Sequence, residues 1–80
     1  MEKTIEIEDE IIMEKGKIYD VAFSTGKYEI EYVDNVKCIK ITPKSYRVER
    51  PDETTRLIKK GYILELKDIK KNIKYKIKAL

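Results

Sequence analysis

The chain of 80 residues contains no histidine, no tryptophan and no glutamine, and it has one cysteine, Cys38. Without histidine it lacks the side chain that most often serves as a general base near neutral pH. A single cysteine allows no intrachain disulfide, no Cys/His metal site and no Cys–His nucleophilic pair. No glycine-rich nucleotide-binding motif is present. The sequence therefore predicts a protein that is not an enzyme and that uses no cofactor and no metal ion.

Long hydrophobic runs are also missing. No segment approaches the roughly 18 apolar residues of a membrane span, and the acidic N-terminus "MEKTIEIEDE" has no apolar signal core. A single cysteine is in keeping with a reducing compartment. We therefore expect a cytoplasmic protein with no membrane partner.

The composition favours a folded domain with an uneven distribution of charge. Hydrophobic and charged residues each make up 41% of the chain, and the apolar ones occur in patterned runs. A chain of this length buries only roughly 60% of its unfolded surface, so residues 1–80 are expected to form one domain with one modest core. The net charge of +3 divides into −6 for residues 1–35 and +9 for residues 36–80. This polarity is the most unusual feature of the sequence.

Alternation of apolar and polar residues predicts six or seven short strands. The predicted strands cover residues 4–8, 18–24, 28–33, 36–42, 45–49, 62–66 and 73–80. Turn signals separate several of them, at Gly26 and at Asp34-Asn35. The alternation places Tyr28, Ile30 and Tyr32 together on one apolar face.

Two further segments fit a helical turn as well as another structure. Residues 9–17 begin with acids and end at Gly16, which suits one or two helical turns or a loop. Residues 50–61 place Pro51 at a first helical position and Gly61 after the last lysines, whereas their threonines favour a strand. For residues 50–61 we favour the helical turn. The expected fold is all-β: a small barrel with one or two helical turns, because closure hides most sheet edges.

Two stretches resemble a small SH3-like barrel and, more loosely, its Sm-like subset: "KGKIYDVAFSTGKYEIEYVDNVKCIKI" (15–41) and "LIKKGYILEL" (57–66). The shared features are a glycine turn, an aspartate–asparagine region and a later basic residue–glycine pair, at Gly26, Asp34-Asn35 and Lys60-Gly61. The resemblance implies a ring-forming protein that binds single-stranded RNA. It also implies that Asn35 and Lys60 belong to the loops that contact the RNA.

The C-terminal stretch "KKNIKYKIKAL", residues 70–80, alternates lysine with isoleucine and tyrosine. Its lysines are spaced at roughly 7 Å along one side of a strand, close to the phosphate repeat of an extended nucleic acid. The predicted nucleic-acid-binding residues are Lys70, Lys71, Lys74, Lys76, Lys78, Lys37, Lys40, Asn35, Lys60 and Tyr62. Lysine–phosphate contacts are independent of sequence and sensitive to salt, and an exposed tyrosine stacks on bases.

The same lysines have a second interpretation. Glu6 and Glu8 of the first predicted strand repeat at the same spacing, so they pair with the lysines if the first and last strands are neighbours. Between copies of the chain, Glu6 and Glu8 become oligomer contacts and the strands add head to tail into a ring. A homo-oligomer is therefore expected.

The leading hypothesis is a non-enzymatic protein that binds RNA or single-stranded nucleic acid through a lysine-rich face. One alternative is a protein-interaction adaptor or inhibitor, encoded by a phage or another mobile element. Another is an oligomer that sequesters a small anionic nucleotide between its subunits.

Overall fold

A computed structural model describes residues 1–78 as seven strands without a helix, which confirms the all-β prediction. The strands are β1 (Lys3–Ile7), β2 (Ile18–Gly26), β3 (Glu29–Ile41), β4 (Ser45–Glu49), β5 (Thr55–Lys59), β6 (Ile63–Asp68) and β7 (Ile73–Ile77). Their spatial order is β1-β7-β6-β2-β3-β4-β5 in one sheet. All neighbours are antiparallel except β1 and β7, which are parallel. The predicted last strand also included residues 79 and 80, which lie outside the described residues.

The sheet is not closed, so the predicted barrel is wrong. β1 and β5 stand at opposite ends of the strand order and do not pair with each other. Part of the core is covered instead by the chain segment between β1 and β2, residues 8–17. From this segment Ile11 and Met13 are buried in the core, together with residues of β2 to β6. A segment of this kind covers apolar surface without joining the two sheet edges.

Residues 8–17 form a loop without a helical turn, so of the two alternatives for residues 9–17 the structure shows the loop. Met13 is 1% exposed and its neighbour Ile12 is 72% exposed, an alternation with the period of extended chain. The segment ends against β3, where the Gly16 N–H donates to the Cys38 carbonyl at 2.8 Å. Gly16 has a φ of +89°, a conformation that glycine adopts without strain.

Residues 50–61 form a turn and then β5, so the helical turn that we favoured for them is wrong. The Arg50 N–H donates to the Thr54 carbonyl at 2.8 Å, and Glu53 has a φ of 72°. The Asp52 carboxylate accepts the Thr54 N–H at 3.1 Å and the Thr54 hydroxyl at 2.6 Å. A helix of one or two turns is marginal, whereas β5 pairs along its whole length with β4 and buries Ile58.

β3 is one strand of 13 residues where the sequence predicted two strands and a turn. The turn signal marks an irregularity instead: Asn35 has a φ of 52°, and its N–H donates to Asp20 Oδ1 of β2 at 2.8 Å. The register with β2 shifts at this level, as in a β-bulge. Val33 and Val36 are therefore both buried although they are three positions apart.

The first half of β3 turns its predicted apolar face outward. Tyr28 and Tyr32 are 89% and 70% exposed, and Ile30 is also exposed, so the apolar face on which the alternation placed them is not part of the core. The alternate residues of β3 point to the inner side of the sheet. Among them, Val33 is buried in the core and Glu31 lies near Arg56. Because Arg56 donates hydrogen bonds to the Glu31 carboxylate, this charged residue is tolerated on the inner side of the sheet.

Candidate functional site

The lysines of β7 lie between acidic neighbours. β7 has β1 on one side and β6 on the other. Lys78 Nζ is 3.4 Å from Glu8 Oε1, and Lys74 Nζ is 3.5 Å from Glu65 Oε2. Lys76 makes no ion pair among residues 1–78, but the residues opposite it on β1 and β6 are both glutamates. Lys74, Lys76 and Lys78, which we call the β7 stripe, therefore present little free positive charge.

The structure does not gather the other predicted lysines around this stripe. Lys37 and Lys40 are exposed on β3, which β2 and β6 separate from β7. Lys70 and Lys71 lie in the loop between β6 and β7, and the Lys71 N–H donates to Asp68 Oδ1 at 3.1 Å. These residues form no common surface with one sign of charge.

Lys60 and Tyr62 lie in a different groove, which has a volume of about 530 Å³. We call it the lysine–tyrosine groove. Its lining residues are Pro43, Lys44, Ser45, Leu57, Lys59, Lys60 and Tyr62. It contains three lysines and no acid, and within residues 1–78 none of these lysines forms an ion pair.

Two turns bring the three lysines together. The Lys60 N–H donates to the Lys44 carbonyl at 2.9 Å, so these residues face each other at the end of the β4–β5 pair. On one side, the turn before β4 is held by the Ser45 N–H, which donates to Thr42 Oγ1 at 3.0 Å. On the other side, Gly61 takes a φ of +83° and reverses the chain toward β6.

The second turn also places an aromatic ring beside the lysines. The Tyr62 N–H donates to the Lys59 carbonyl at 3.2 Å, and Lys59 Nζ is 5.9 Å from the centre of the Tyr62 ring. Tyr62 is 50% exposed. Lys60 Nζ is 5.1 Å from the centre of the ring of the buried Tyr46. The groove therefore offers ammonium groups and one accessible aromatic face, a combination suited to a phosphate-linked base.

Sequence reasoning found Lys60 and Tyr62 and missed Lys44 and Lys59. The pair Lys59-Lys60 is visible as a charged doublet before Gly61. Lys44 carries no such signal, because its proximity depends on the pairing of β4 with β5. Of the predicted binding residues, the structure brings only Lys60 and Tyr62 into this groove.

Arg56, next to the groove, is engaged by an acid. Its Nε is 2.8 Å from Glu31 Oε2 and its second terminal nitrogen is 3.0 Å from Glu31 Oε1, a bidentate pair. The guanidinium also lies 5.4 Å from the centre of the Phe23 ring. The hydrogen bonds from Arg56, together with its charge, lower the pKa of the Glu31 carboxyl below its ordinary value. The free positive charge of this region therefore belongs to the lysines.

We expect the Arg56–Glu31 pair to stabilise the fold at neutral pH and to lose this contribution in acid. A carboxyl whose pKa is lowered by folding contributes stability above its unfolded pKa, near 4.5, and loses it as the pH falls through the folded value. Arg56→Met should therefore lower the thermal midpoint near neutral pH, and the difference from the unmodified protein should shrink below the folded pKa of Glu31. Thermal unfolding measured across this pH range checks the expectation, which a pH-independent difference contradicts.

No protein-family model, curated protein or solved structure significantly matches the chain. Within residues 1–78 no three His, Cys, Asp or Glu side chains are placed to hold a metal ion, and no helix has the length and apolarity to cross a bilayer. The lysine–tyrosine groove is therefore interpreted from its own chemistry.

Proposed function

We propose that the protein is a non-enzymatic binder of RNA or other single-stranded nucleic acid, and that the lysine–tyrosine groove is its binding site. The observation that carries this proposal is the presence of three lysines without acidic partners beside an exposed tyrosine. The lysines contact phosphates, and Tyr62 stacks on a base. A groove without acids supports this function better than the β7 stripe, where Lys74 and Lys78 are paired with glutamates and Lys76 lies between two glutamates.

The SH3-like and Sm-like interpretation belongs to the same proposal. The two stretches that carry the resemblance form β2 and β3, and β5 and β6, with turns near Gly26 and Gly61. Lys60, which the resemblance implies contacts RNA, lines the groove, whereas Asn35 does not. A cytoplasmic location and a homo-oligomer with contacts at Glu6 and Glu8 stay predictions.

Charge reversal in the groove tests the proposal. We expect the double variant Lys44→Glu, Lys59→Glu to weaken binding to a fluorescently labelled oligouridylate at least about tenfold at low salt, since two phosphate contacts are lost. The slope of log affinity against log salt should fall by roughly 0.7 for each lost contact. Fluorescence anisotropy, repeated between about 50 and 200 mM salt, measures both quantities.

The matched control changes the same net charge elsewhere. Lys3→Glu, Lys15→Glu alters two exposed lysines outside the groove. It should weaken binding much less, because only the general field of the protein changes. Equal losses in the two double variants, or no binding by the unmodified protein at low salt, count against the groove.

Protein binding is the second candidate function, and the outer side of β3 favours it. Tyr28, Ile30 and Tyr32 are exposed there, and a groove of about 360 Å³ next to them includes Leu64 and Ala22. Exposed apolar groups in one place are typical of protein contact surfaces. If the outer side of β3 serves a protein partner while the lysine–tyrosine groove binds nucleic acid, Tyr32→Ser leaves oligouridylate binding unchanged, whereas Tyr62→Ser weakens it. Anisotropy on these two single variants separates the two surfaces.

A further inference from the structure

Two further cations lie on the outer side of the sheet, next to the lysine–tyrosine groove. Lys40 of β3 is directly opposite Arg47 of β4, and Arg47 is directly opposite Leu57 of β5. Because directly opposite residues of paired strands project from the same face, these three side chains lie on one side of the sheet. The neighbours of Arg47 along β4, Tyr46 and Val48, are buried in the core, so this side is the outer one.

These cations are continuous with the groove. Leu57 lines the groove, as does Lys59, which lies two positions farther along the same face of β5. Lys59 is opposite Ser45, so Arg47 and Lys59 are diagonal neighbours about 7–8 Å apart. The Cβ atoms of Lys40 and Arg47 are closer, at about 5 Å. We call Lys40, Arg47 and Lys59 the basic row.

The basic row has no acidic partner in the described part of the chain. All three side chains are exposed, and within residues 1–78 none of them forms an ion pair. Glu49 projects from the same face, but it is directly opposite Lys37, two positions beyond Arg47 along β4. The row therefore keeps a surplus of positive charge.

Like charges at directly opposite positions destabilise a sheet. Lys67 and Lys74 form a second pair of this kind, on β6 and β7, and there the fold compensates the repulsion. Lys67 Nζ is 3.9 Å from Glu2 Oε1, and Lys74 Nζ is 3.5 Å from Glu65 Oε2. Lys40 and Arg47 lack such acids, so an anion from outside the chain would relieve their repulsion.

We propose that a single strand of nucleic acid leaves the groove across β5 and β4 and follows the basic row, with successive phosphates at Lys59, Arg47 and Lys40. This inference rests on the proposed function, because it extends the path of the same ligand. The spacing of the cations is close to the phosphate repeat of an extended strand. Leu57 is 46% exposed between Arg47 and Lys59 and offers an apolar contact to a base. Arginine also binds phosphate in a bidentate manner.

The length of the oligonucleotide separates the basic row from the groove. We expect a labelled oligouridylate of about eight nucleotides to bind at least about tenfold more tightly than one of about three, which occupies the groove alone. The double variant Lys40→Gln, Arg47→Gln should remove this preference and leave the affinity for the shorter chain within about twofold. The salt slope for the longer chain should fall by roughly 0.7 for each of the two lost contacts. Fluorescence anisotropy measures these quantities.

The matched control removes the same charge elsewhere. Lys3→Gln, Lys15→Gln changes two exposed lysines outside the groove and the basic row, and it should keep the preference for the longer chain. Equal loss of the preference in both double variants overturns the inference alone, as does an unchanged preference in Lys40→Gln, Arg47→Gln. If the unmodified protein binds neither oligonucleotide, the proposed function fails and the inference fails with it.

Thermal unfolding without nucleic acid tests whether Lys40 and Arg47 are unpaired. Because Lys40→Gln, Arg47→Gln removes a repulsion, its thermal midpoint should equal or exceed that of the unmodified protein. A midpoint lowered by several degrees means that the two side chains stabilise the fold through partners within the protein. That result overturns the proposal, even if the variant also binds the longer chain less tightly.

Discussion

Met13→Ala is expected to lower the free energy of unfolding by about 2–5 kcal/mol, the usual range for truncating a buried methionine. Met13 is 1% exposed and is one of two apolar side chains by which residues 8–17 cover the core. A domain of this size has a total stability of roughly 4–12 kcal/mol, so the loss is a large fraction of it. Urea unfolding should show a lower midpoint with an unchanged slope.

The adjacent residue supplies the matched control. Ile12→Ala removes a similar apolar volume one position away, where the side chain is exposed to solvent. Its effect on the free energy of unfolding should stay within about 0.5 kcal/mol, as for other surface substitutions. Similar losses at both positions mean that residues 8–17 do not pack as an extended covering segment.

Cys38 should react with a thiol reagent at least about 100-fold more slowly in the native protein than in denaturant, equivalent to an opening free energy near 3 kcal/mol. The residue is 0% exposed, and burial raises the pKa of its thiol, which reduces the reactive thiolate. Because it is the single cysteine of the chain, the absorbance change of Ellman's reagent reports this site alone.

The Met13→Ala variant tests whether labelling of Cys38 requires opening of the core. If labelling requires opening of the core, Met13→Ala should accelerate it by at least about tenfold, since each 1.4 kcal/mol of lost stability is a factor of ten. Ile12→Ala should leave the rate unchanged. Native labelling as fast as in denaturant contradicts the burial of Cys38.

The strands were predictable because their signal is local. In β2 the alternate residues Tyr19, Val21 and Phe23 are buried, and in β4 Tyr46 and Val48 are buried on either side of the exposed Arg47. Residues 50–61 were not predictable in the same way. Their helix-like ends are a proline and a glycine, but pairing with β4 outweighs these local preferences.

The candidate site was predictable only in part. A lysine-rich surface with tyrosine was expected from composition, and of the residues named for it Lys60 and Tyr62 line one groove. The choice between the β7 stripe and this groove as the binding site depends on which acidic residues lie beside each lysine. Glu65 neutralises Lys74 because β6 lies beside β7, and no local pattern carries that information.

The sequence by itself determined the all-β class, most of the strand segments and the division of charge between the two halves of the chain, because these follow from side-chain periodicity and composition. The tertiary structure alone decided which lysines are paired with acids and which are free. It also decided that residues 8–17 cover the core while β1 and β5 stay apart, and that β3 turns its tyrosines outward. These outcomes depend on contacts between residues far apart in the chain, where burial and charge pairing outweigh local preference.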